Sequence, residues 1–128
     1  MSHDDLDEVQ AIVIDNGSSL IKAGFAGEDE PRTVLSNTMC QMRSSKDAFR
    51  VGAAWSDSEI QSIRYPIERG IVTNWDDMER IWRHIFHDEL HTSPEEHPVL
   101  ITEAPFNPKG NREKTVQILF ERFNVPCE

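Results

Sequence analysis

The chain has 128 residues, 38% of them hydrophobic, with 23 acids against 13 bases and a net charge of −10. That length suits one domain. The charge disfavours nucleic acid, which rewards clustered Lys and Arg, and disfavours anionic membrane surfaces, while permitting a basic protein partner. Cys40 and Cys127 belong to no CxxC pair; they read as free thiols of a reducing compartment, with a single disulfide as the alternative. The apolar runs are too short to span a bilayer, and the start, Met1-Ser2-His3-Asp4-Asp5, has no apolar secretory core, so a cytoplasmic protein is expected.

Residues 1–8 carry the acids Asp4, Asp5, Asp7 and Glu8 and are expected to form a disordered tail ahead of one domain over 9–128. Ala11-Ile12-Val13-Ile14 is a short β-branched run, consistent with a strand buried on both faces. Asn16-Gly17 follows, a hairpin signal because a type I′ turn needs positive φ at both central residues. Leu20 to Phe25 reads as the returning strand and Arg32 to Leu35 as a third. Ser36 to Ser62 is polar and without a sustained period; a mobile excursion is expected, with a short strand near Phe49-Arg50-Val51 and a helical turn after Ser56.

Trp75 to Leu90 has apolar residues at Trp75, Met78, Ile81, Trp82, Ile85, Phe86 and Leu90, the spacing of an amphipathic helix. Thr73 or Asn74 can cap it, and Asp76, Asp77 and Glu79 suit its positive first turn. His97 to Thr102 reads as a strand, and Asn107-Pro108 opens a second helix with an apolar stripe of Val116, Leu119, Phe120 and Phe123. Strand, helix and strand in that order imply a right-handed parallel crossover. The fold class is therefore α/β, a mixed sheet with flanking helices. One more strand is due where the chain ends.

These residues resemble the actin family in four places. Val13 to Gly27 looks like its first phosphate-binding hairpin, and Tyr65 to Glu79 like the stretch that enters its first long helix. Pro94-Glu95-Glu96-His97-Pro98 and Leu100 to Pro105 are similar to the strand that follows. Asn107-Pro108-Lys109 and Asn111-Arg112-Glu113-Lys114 match the next helix. Four motifs in the right order make the likeness specific. It implies a partial actin-type, ribonuclease H-like ATPase domain in which residues 36–64 form a reduced small subdomain. It also implies a cytoskeletal, ATP-binding filament subunit.

The sequence departs from the family in four ways. Ser19 stands in place of a glycine, and Arg69 in place of a histidine that is often methylated. The region of the DNase-binding loop is shortened, and only about the first third of an actin is covered. The catalytic glutamine, the second phosphate hairpin and the adenosine pocket would lie beyond this stretch. The expectation is a chain with weak nucleotide binding by itself, or a non-catalytic interaction fragment.

By the resemblance, the cofactor is ATP or ADP with Mg²⁺, and the site is Asp15, Asn16, Gly17, Ser18, Ser19, Leu20 and Lys22. Asp15 would hold the metal. Physically, outward N–H groups of a turn bind anions, a carboxylate can hold Mg²⁺ through water, and a lysine adds a point charge; the plainer reading is that Asn-Gly only closes a hairpin. A serine at position 19 costs little if φ is negative and of order 1 kcal/mol or more if it is positive. His84, His87 and His91 could share a helix face and bind Zn²⁺, against the plainer reading of a polar helix surface. Glu95, Glu96 and the tail acids resemble positions that help recruit myosin, against solvated loop charge. The partners implied are actin or actin-binding proteins, and self-association.

Overall fold

A computed structural model describes residues 10–52, 56, 58–105 and 107–126. The predicted acidic tail, residues 1–8, and Cys127 lie outside them. Strands β1 (Ile12–Asn16), β2 (Leu20–Phe25) and β3 (Thr33–Ser36) form an antiparallel meander. Helix α1 (Trp75–His84) then carries the chain to β9 (Val99–Ile101), which pairs parallel with β1, giving the strand order β3-β2-β1-β9. Helix α2 (Lys109–Arg122) follows. This is the expected mixed sheet with flanking helices.

Alternation decides which sheet face is covered. Ile12, Ile14, Ile21, Ala23 and Val99 point to one face and are buried. They share one core with Met78, Ile81, Trp82, Ile85 and Phe86 from the first helical segment and with Ile118, Leu119, Phe123 and Val125 from the second. Burying Trp82 and Phe86 completely is worth about 1.5–3 kcal/mol each. Because both helices pack on this face, β1 is not buried on both sides as its composition suggested. Val13 is half-buried and Asp15 exposed. On the opposite face Leu20, Val34 and Leu100 are 48%, 52% and 58% exposed.

Asn74 caps α1, its Oδ1 accepting from the Asp77 N–H at 3.1 Å. The predicted helix to Leu90 is present, but its last stretch, Ile85–Glu89, widens to a π turn and is closed by His91 at φ 50°. In the predicted stripe of α2, Leu119 and Phe123 are buried and Val116 is half-buried, but Phe120 is 42% exposed and Ile118 is buried in its place. Asn124 at φ 56° ends this helix, and the Val125 N–H returns to the Leu119 carbonyl.

The excursion after Ser36 is more regular than its composition indicated. Strands β4 (Met39–Met42), β5 (Phe49–Val51) and β6 (Ile60–Arg64) form a second sheet in the order β5-β4-β6. Met39, Cys40 and Met42 are buried, so a short apolar strand in the centre replaces the missing period. Beyond Ser56 a hydrogen-bonded turn forms, Glu59 N–H to Ser56 O at 2.9 Å. The two-residue strands β7 (Ile67–Glu68) and β8 (Ile71–Val72) make a tight hairpin beside the main sheet.

Candidate functional site

The hairpin between β1 and β2 places Asp15 directly opposite Lys22, so both project from the uncovered sheet face together with Leu20. Both charged side chains are exposed. Among the described residues Lys22 closes no ion pair. The Asp15 Oδ1 accepts from the Thr102 hydroxyl at 3.0 Å, while the Thr102 Oγ1 also accepts the Asn16 N–H at 2.9 Å. That hydroxyl fixes the end of β1 from a residue just past β9. Alongside Asp15 and Lys22 runs an open groove of about 360 Å³ that continues past Gly24 and Phe25 to Glu28 and Pro31.

The turn itself differs from the type I′ geometry that Asn-Gly suggested. Neither Asn16 nor Gly17 has a positive φ. Asn16 and Ile21 are the last pair of the ladder, which leaves four residues, not two, to turn the chain. Gly17 is needed for room instead: a Cβ there would meet the Leu20 carbonyl oxygen at 2.5 Å. Ser19 also has no positive φ, so a serine sits there without backbone strain.

The type I′ turn is found at a place the sequence did not flag. Arg69 and Gly70, at φ 54° and 80°, join β7 to β8. This tip docks on the β1–β2 loop through the Gly70 N–H, which donates to the Ser18 Oγ at 3.0 Å. A third support is Asn37, completely buried. It donates its Nδ2 to the Gly17 carbonyl at 2.7 Å and its backbone N–H to the Ser19 carbonyl at 2.9 Å. Its Oδ1 is buried without a partner among the described residues, and a lone asparagine ahead of a methionine-rich strand gave no pattern by which to find it.

The residues expected to form the site thus separate. Asp15, Leu20 and Lys22 share the open face, and Ser18 and Ser19 form the loop. Gly17 supplies clearance. The Asn16 side chain faces the covered side, its Nδ2 near the Met78 sulfur at 3.8 Å and its Oδ1 buried without a partner. Behind it lies a water-sized cavity of about 30 Å³ lined by Asn16, Gly70, Thr102, Asn107 and Thr115. Among the described residues neither the Ser18 nor the Ser19 N–H has a protein acceptor.

The histidine helix does not gather a metal site: among the described residues no group of three or more His, Cys, Asp or Glu is placed to hold an ion. His84 instead meets Asp88 and Glu89 through its two ring nitrogens, at 3.0 and 3.1 Å. Glu95 and Glu96 are exposed on a 3₁₀ turn, Pro94–Glu96. No helix among the described residues is long and apolar enough to cross a membrane. The family model described as Actin matches residues 6–128.

Proposed function

Because the chain belongs to the actin family, we propose that its β1–β2 hairpin is one wall of a site for the polyphosphate of ATP or ADP with Mg²⁺, in a cytoplasmic, cytoskeletal subunit. The observation that carries this reading is the cross-strand pair of Asp15 and Lys22, exposed on one sheet face and, among the described residues, in no ion pair. The residues fit such a ligand. Asp15 keeps its Oδ2 for a hydrated cation, Lys22 offers a point charge to phosphate oxygens, and the free N–H groups of Ser18 and Ser19 add donors. The adjoining groove falls in the size range of ligand sites. Bound Mg²⁺ would supply charge neutralisation and polarisation of the phosphates; this wall contributes grip and orientation.

These 128 residues contact the phosphates from one side. Exposed charge contacts are worth little in high dielectric, so the binding they support alone is weak. The experiment is calorimetry with Mg·ATP on the 128-residue chain, backed by Lys22→Ala and Asp15→Ala. Millimolar binding abolished by either substitution supports the reading, and binding indifferent to both refutes it. A second reading, a non-catalytic surface that pairs with actin, with an actin-binding protein or with a second copy, is favoured by the exposed Leu20, Val34 and Leu100 on the same face.

A further inference from the structure

We infer that Arg69 is a second phosphate-binding cation, delivered to the hairpin site by the β7–β8 turn; this rests on the polyphosphate reading above. Three observations converge on it. The first is backbone strain. A type I′ turn demands positive φ at both central residues and is built with Asn, Asp or Gly for that reason. Arg69 holds φ 54° with a full side chain. Asn or Gly would hold this turn at lower cost, so the turn geometry alone does not call for an arginine.

The second is placement. The residue after Arg69 donates its N–H to the Ser18 hydroxyl at 3.0 Å, so the turn tip is bonded to the loop whose free amides would face the anion. The approach is close: a Cβ on Gly70 would meet the Ala104 Cβ at 2.7 Å. The tip therefore sits between the loop and the segment after β9. The third is availability. Arg69 is exposed, and among the described residues its guanidinium makes neither an ion pair nor a hydrogen bond, in contrast to Arg32, Arg64, Arg80, Arg83, Arg112 and Arg122, which all pair with carboxylates. A planar guanidinium takes two phosphate oxygens at once. With Lys22 it would give the loop two cations where the hairpin alone supplies one.

The test is an NMR titration of the ¹⁵N-labelled 128-residue chain with sodium tripolyphosphate and with Mg·ATP at low ionic strength. It compares wild type, Arg69→Asn, Arg69→Lys and Lys22→Ala, with the melting temperature of each. Asparagine tolerates positive φ, so Arg69→Asn relieves the strain while removing the charge. The expected result is a higher melting temperature together with dissociation constants weakened about fivefold, as loss of one exposed charge contact gives. Arg69→Lys should keep most of the affinity. An unchanged dissociation constant in Arg69→Asn, while Lys22→Ala weakens binding, overturns the role of Arg69 and leaves the site reading standing. Equal weakening in Arg69→Asn and Arg69→Lys with lower melting temperatures assigns the effect to the turn backbone and also overturns it. Loop amides that stay silent in wild type remove the polyphosphate reading and this inference with it.

Discussion

Arg64 grips the buried carboxylate of Asp77 through two parallel hydrogen bonds, Nε and one terminal nitrogen each at 2.7 Å from a carboxylate oxygen. Arg80 adds a third contact at 3.3 Å, and both guanidinium groups lie over the Phe49 ring, 4.7 and 5.2 Å from its centroid. The pair joins the last strand of the small sheet to the first long helix. Pairing with Asp77 also raises the pKa of Arg64 above its ordinary value. Arg64→Ala is expected to cost about 2–3 kcal/mol, because a buried carboxylate would keep only the longer Arg80 contact. Arg64→Lys should lose about 1 kcal/mol, since it cannot form the fork. Urea titrations of both variants check the order; equal stabilities would show the fork to be unimportant.

Gly17 and Ser19 should respond in opposite ways to substitution. Gly17→Ala pushes a methyl group into the Leu20 carbonyl and should cost about 1–3 kcal/mol. Ser19→Gly relieves no strain, because Ser19 has no positive φ, and should change stability by less than about 0.5 kcal/mol. Thermal unfolding of the two variants decides it.

Asn37→Ala should cost about 1–3 kcal/mol by leaving the Gly17 carbonyl without its donor. It should also loosen the loop. Hydrogen exchange at the Gly70 N–H, which bonds to the Ser18 hydroxyl, and at the residue-37 N–H, which bonds to the Ser19 carbonyl, is expected to rise at least tenfold while amides of the β1–β2 ladder are unchanged. Uniform acceleration across the sheet would show a global effect instead.

Cys40 is buried, its thiol donating to the Gly52 carbonyl at 3.2 Å. Burial pushes the thiol up from its ordinary value, partly opposed by Thr38. The unfolded chain therefore releases this proton at a lower pH than the folded one. The stability linked to it is complete below the ordinary thiol range and declines as pH rises through and beyond it. In a Cys127→Ser background, iodoacetamide at pH 8 should modify Cys40 only as fast as the protein opens. Immediate alkylation would contradict its burial.

The open sheet face should drive association once salt screens the net charge of −10. Light scattering coupled to size exclusion is expected to show larger species at physiological than at low ionic strength. Leu100→Glu, on that face and 58% exposed, should return them to monomer. A chain that is monomeric at both ionic strengths would place the interface elsewhere.

Much of this was legible in the sequence because it rests on local periodicity. The β-branched run Ile12–Ile14, the 3.6-residue spacing from Trp75, and Asn74 as a cap each carry their own signal. The resemblance then named Asp15 and Lys22 together, and the structure sets them opposite each other across the ladder. What was illegible depends on distant partners. Nothing near Asn16-Gly17 tells that four residues turn the chain there, nor that the two-residue turn falls on Arg69-Gly70, where arginine hides the signal. Phe120 fits the apolar stripe of its helix as well as Ile118 does; only the direction from which the sheet approaches chooses between them. Asn37 was missed for the same reason, since its value lies in a carbonyl 20 residues earlier.

The bond from Thr102 to Asp15 spans 87 residues of chain, and this fixes an order of assembly. The β1–β2 hairpin can close within microseconds of leaving the ribosome. Its parallel neighbour, Val99–Ile101, must first be synthesised, which at ordinary elongation speeds takes roughly 4–17 s. Until residues 75–84 emerge to form α1, Ile12 and Ile14 have no helix to cover them, and until Thr102 emerges Asp15 has no hydroxyl to orient it. The nascent chain therefore presents an apolar hairpin early and the completed Asp15–Thr102 contact late.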